Sequence, residues 1–207
     1  LKKGDHMSAF LGPIHYWLYR KIEIQKDITD QIEQLLELRI PGSRLIIEEK
    51  YGKNAEGELE HQIDHSNIHG WLQNEITISE HHLAASVTML LHKDQTLIEE
   101  LKDIFYQRGQ KTSEESQCKD AKEAYKILND TLLDGMPCDH VNEIIEQDDE
   151  SVRWRRTTDI HKKYWEEAQG DVGIYYELRE LYINGLLKGT DLGYDRSEET
   201  YRIYKIA

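Results

Sequence analysis

The segment I-H-Y-W-L-Y-R-K-I-E-I at residues 14–24 returns as I-H-G-W-L-Q-N-E-I-T-I at 68–78, identical at six of eleven positions. Two of the four tryptophans in the chain fall inside this repeat, so chance coincidence is a poor account of it. In both copies the histidine, leucine and second isoleucine are three and four residues apart, the spacing of one helix face. The chain must therefore bury two similar amphipathic helices. Two copies 54 residues apart are too few for a solenoid, and they predict a helical bundle with an internal pseudo-two-fold repeat.

Helix signals dominate elsewhere. Gly12-Pro13 reads as a cap and first helical residue, and Pro41-Gly42 forces a turn. Ser66 is the expected cap of the second copy. Gly109 reads as a helix stop, and Thr112 with Glu115 as a capping box for a helix ending near Gly135. C-D-H-V-N-E-I-I-E-Q reads as a short helix, and residues 151–170 as one helix or two. The tail T-Y-R-I-Y-K-I-A alternates with a period of two, but a lone strand has no evident partner. The expected fold is all-α, with six to eight helices in one domain over 7–189, a tail of undefined form at 190–207, and a leader at 1–6 ahead of Met7.

Charge narrows the function. Forty acidic against 26 basic residues leave a net charge of −14, which repels nucleic-acid backbones and anionic lipid. The longest run free of charge and histidine, L-A-A-S-V-T-M-L-L, is too short for a membrane span. Two cysteines without a C-x-x-C fit a reducing, cytoplasmic setting. The expected partners exclude nucleic acid and membrane and include a second copy of the chain or a basic protein.

The repeated histidines carry the functional question. Near a helix start, the dipole disfavours an added positive charge, so His15 and His69 are expected neutral, the form that binds metal. Each lies in line with an apolar stripe (Leu18 and Ile22, Leu72 and Ile76). Ile160-His161 repeats the dipeptide ahead of Trp165. Cys138, after Gly135 and Pro137 and just before an expected cap at Asp139, reads as a thiol at a helix N-terminus. His15, His69, His161 and Cys138 together suit zinc or iron, and two imidazoles from like helices suit a haem iron. Against this, a first-turn histidine commonly just bonds a loop carbonyl, and duplication copies it without purpose.

Other readings stand beside it. The repeat is a packing element of a non-catalytic interaction protein, or Trp17, Trp71, Tyr16 and Tyr19 line an organic-ligand pocket with the histidines as hydrogen-bonding groups. His61, His65 and His69 fall at four-residue intervals, a metal face only on an unbroken helix, which the Ser66 cap interrupts. His81, His82 and His92 read as surface or boundary positions. Inward histidines on helices resemble hemerythrin-like bundles in architecture, but Tyr19 stands four residues after His15 and Glu166 five after His161, so the ligand spacing of that family is not met. No nucleophile elbow, phosphate loop or dinucleotide fingerprint occurs.

Overall fold

The computed structural model describes residues 10–116 and 118–206; the leader expected at 1–6 lies outside them. Helix α1 (Pro13–Arg39) begins at the expected cap, Gly12. It buries Leu18, Ile22, Ile28, Ile32 and Leu36. Gly42, at φ 84°, makes the turn into α2 (Ser43–Tyr51), which ends at Gly52. A single turn, α3 (Leu59–Gln62), precedes α4 (Ile68–Lys93). The cap of α4 is Asn67, not Ser66: its side chain accepts the Gly70 N–H at 3.1 Å. His69 is therefore the second residue of its helix, whereas His15 is the third of α1.

The two copies lie side by side and parallel. Tyr19 meets Trp71, Gln25 meets Glu80 and Glu33 meets His82, so the paired positions rise together. The copies lead into unlike elements. After α1 comes the nine-residue α2; after α4 comes α5 (Ile98–Ser116), 19 residues long. Helix α5 runs straight through Gly109, where a stop was expected, and places Thr112 in its interior. Asp120 caps α6 (Ala121–Thr131) by accepting the Glu123 N–H at 2.8 Å. Short α7 (Lys162–Glu167) and α8 (Val172–Leu187) complete the helices.

The all-α expectation is overturned by a four-stranded antiparallel sheet. Strands β1 (Asn142–Gln147), β2 (Ser151–Arg156), β3 (Leu192–Ser197) and β4 (Thr200–Lys205) lie in the order β1-β2-β4-β3. The fold is mixed α/β. The two segments read as helices around 138–170 thus become a turn, a β1–β2 hairpin and α7. The tail finds its partner far back in the chain, with Tyr204 opposite Ser151 and Tyr201 opposite Trp154. Val152 and Trp154 point inward while Arg153 and Arg155 face out, the period-two pattern of a half-buried strand. Trp154 stacks on Tyr201 at 5.6 Å and packs against Tyr125 of α6 at 4.9 Å, which fixes the sheet to the helices.

Most of the core lies among α4, α5, α8 and the sheet. A smaller core sits at the common starting end of α1 and α4, built from Leu18, Ile22, Leu72, Ile76, Leu133 and Met136. Among the described residues, no helix is long and apolar enough to cross a membrane.

Candidate functional site

The smaller core opens into a cavity of about 530 Å³, within the size range of small-molecule sites. Ile14 and Leu18 of α1, Ile68 and Leu72 of α4, and Met136 and Pro137 from the turn before β1 form its apolar walls. His15, His65, His69, Ser66, Asn67 and Cys138 supply the polar groups. Among the described residues no acidic side chain lines it, in a chain with 40 of them. Because α1 and α4 run parallel, both present their N-terminal ends here, where helix dipoles favour negative charge.

The cap of α1 fixes the tautomer of His15. Its Nδ1 lies 2.8 Å from the Gly12 backbone nitrogen. An amide N–H can only donate, so Nδ1 accepts, and a neutral ring then carries its proton on Nε2. His15 can thus offer a donor. A metal-ligating imidazole normally works the other way round, donating from its second nitrogen so that the first is free for the ion. His69 is exposed on the first turn of α4. Cys138 is exposed in the Pro137–Asp139 turn, which leads into a strand, so no helix dipole acts on its thiol as expected. Three of the four residues expected at a metal site, His15, His69 and Cys138, therefore line one cavity. Among the described residues, no three His, Cys, Asp or Glu side chains are arranged to hold a metal ion.

His161 lies elsewhere and is fully buried. Its Nδ1 is 2.8 Å from Glu80 and its Nε2 is 3.3 Å from Asp134. Carboxylates accept, so both nitrogens donate and the ring is an imidazolium with no lone pair for an ion. Burial opposes that charge, but Glu80 and the bond to Asp134 outweigh it and raise the pKa above 6.5. Asp134, after α6, also takes Arg179 of α8 at 2.9 and 2.7 Å and Arg156 of β2 at 3.3 Å. Burial disfavours its charge, yet the two guanidiniums hold its carboxyl well below the usual range. This ion cluster joins five parts of the chain across the core. It is scaffold, and sequence reasoning missed Glu80, Asp134, Arg156 and Arg179. The one legible signal was Arg179, which stands on the same helix face as Tyr175, Leu178 and Tyr182.

The four aromatics expected to line a pocket serve packing outside this cavity. Trp17 donates to Asp130 at 2.9 Å, Tyr16 to Glu60 at 2.7 Å and Tyr19 to the Gly57 carbonyl at 2.9 Å, while Trp71 tilts against Tyr19. His82, expected at a surface or boundary position, is buried: Nδ1 is 2.8 Å from Glu33 and Nε2 is 2.8 Å from the Gly52 carbonyl. His81 stacks on Tyr51 at 4.3 Å.

No family model, curated protein or solved structure matches the chain. The walls and donors of the cavity must indicate its occupant.

Proposed function

We propose that the protein binds a small apolar molecule with an anionic or hydrogen-bond-accepting head, of the kind represented by a medium-chain carboxylate, in the cavity between the starts of α1 and α4. The observation that carries this reading is the lining: among the described residues it has apolar walls, three histidines and no carboxylate, in a strongly acidic protein. An apolar tail gains from leaving water for these walls. The head meets the Nε2–H of His15, with His65 and His69 beside it as further polar groups of the lining.

Calorimetric titration with sodium decanoate tests this. Binding should weaken about tenfold in His15→Ala, the loss of one hydrogen bond to a charged group. It should be blocked in Ile14→Trp, which fills the mouth from a half-exposed position. Absence of binding to the native chain, or binding indifferent to both substitutions, would refute the reading.

A second reading keeps a metal or haem in the same cavity, because His15, His69 and Cys138 all line it. His69 and Cys138 would be the donors to zinc or iron. His161 takes no part, and His15 must first give up its cap bond. Haemin titration separates the two: a Soret shift lost in His69→Ala favours haem, and an unchanged free-haemin spectrum excludes it.

A further inference from the structure

A second cavity, also of about 530 Å³, lies where the C-terminal half of α4 meets the end of α7 and the start of α8. Val87, Leu91, Ile98, Trp165 and Ile174 form its apolar surface. Asp171, Glu177 and His92 also line it, and among the described residues no lysine or arginine does. Two carboxylates thus face this cavity, where the first has none among the described residues.

Thr88 points to a ligand. Four other helical threonines return their hydroxyls to the carbonyl four residues back: Thr29 to Gln25, Thr77 to Gln73, Thr112 to Arg108 and Thr131 to Ile127. That is the usual way a mid-helix threonine satisfies itself. Thr88 does not. It is only 5% exposed, the residue lines the cavity, and its buried Oγ1 has no hydrogen-bond partner. A buried hydroxyl left unpaired is costly unless something completes it. The backbone is shaped around the same spot. Gln169 holds φ 58°, rare for a residue with a side chain, and a Cβ at Gly170 would collide with the Thr88 hydroxyl and approach Trp165 at 3.2 Å.

We propose that this cavity binds a small apolar amine. The apolar body lies against Trp165 and the α4 side chains. The ammonium, with three donors and no acceptor, is matched by the Thr88 oxygen and the carboxylates of Asp171 and Glu177. Such a site disfavours anions of the same shape, since two carboxylates line it and, among the described residues, no lysine or arginine does.

The test uses the full chain, 2-phenylethylamine, and 3-phenylpropionate as a probe of similar size and opposite charge. Amide signals of Thr88, Gln169 and Gly170 are followed by NMR, so that binding at this cavity is separated from any at the first. The amine should shift them saturably, with affinity about tenfold lower in Thr88→Val and in Glu177→Gln. Thr88→Val keeps the shape of a buried side chain, and Glu177 is exposed, so at least one variant retains the fold. The proposal is overturned if the signals stay still at about 10 mM amine, if 3-phenylpropionate moves them equally, or if both variants bind as the native chain does.

Discussion

Gly109 of α5 and Gly185 of α8 let two antiparallel helices touch backbone to backbone. A Cβ at Gly109 would meet the Tyr182 carbonyl and lie 2.9 Å from the Leu186 nitrogen. One at Gly185 would meet the Tyr106 carbonyl and lie 3.1 Å from the Gln110 nitrogen. Backbone cannot swing aside as a side chain can. Gly109→Ala and Gly185→Ala should each destabilise by about 2–3 kcal/mol in urea titrations, despite alanine's better helix propensity. A gain in stability in either variant would mean that the helices separate freely.

Asp134 is the anion on which Arg156, Arg179 and His161 converge. Removing one partner of a buried ion cluster leaves charge uncompensated. Asp134→Asn should cost about 3–5 kcal/mol, read as a lower urea midpoint with an unchanged slope. A loss below about 1 kcal/mol would show that water reaches these groups.

His82 and His161 each donate from both nitrogens, and burial notwithstanding, their carboxylate partners raise both pKa values above 6.5. The folded state then holds protons that the unfolded chain releases near pH 6.5. Their contribution is fully present below that pH and is lost as pH rises through the raised values. Asp134 has the opposite sign: its contribution is present above 3.8, the ordinary value, and is lost as pH falls through its lowered one. Stability should therefore fall over the interval above about pH 6.5, and His82→Gln should flatten the decline. A rise over that interval would contradict the imidazolium assignments.

Lys21 is 3% exposed, with its ammonium 4.2 Å over the Trp17 ring. Burial lowers its pKa to about 8, only partly offset by Asp134. Folding is penalised in full while pH is below about 8, and the penalty shrinks as pH rises from there toward 10.5, the ordinary value. Lys21→Met should stabilise by about 1–3 kcal/mol at pH 7, with a smaller gain at about pH 9.5. Equal effects at both pH values would place the ammonium in water.

His15 has a local role independent of any ligand, since its Nδ1 accepts the Gly12 N–H. His15→Ala should cost about 1 kcal/mol through the lost cap. His15→Asn, with a shorter acceptor at the same place, should recover part of it. Thermal denaturation without ligand measures this, and equal midpoints for all three proteins would show the bond to be idle.

The two repeated helices, the cap at Gly12, the turn at Pro41-Gly42 and the buried stripe of α1 are legible in the order of residues. These depend on contacts within a few turns of one helix, and the 3.6-residue period records them directly. The sheet is not legible in that way, because it depends on long-range pairing. Strand β1 is an edge strand with Ile144 and Ile145 both half exposed, so no inside–outside alternation marks it. Strand β2 turns a charged residue, Arg156, inward because Asp134 waits there. Strand β4 has its partner some fifty residues upstream, with Tyr204 opposite Ser151. Gly109 looks the same in sequence whether it stops a helix or admits another, and only α8 distinguishes the two. The cavity was half legible: the repeat named His15 and His69, and the break at Pro137 drew attention to Cys138. Only the parallel packing of α1 and α4 set these three around one cavity. His161 was drawn away by Glu80 and Asp134, carboxylates distant in sequence whose burial demands a cation between them.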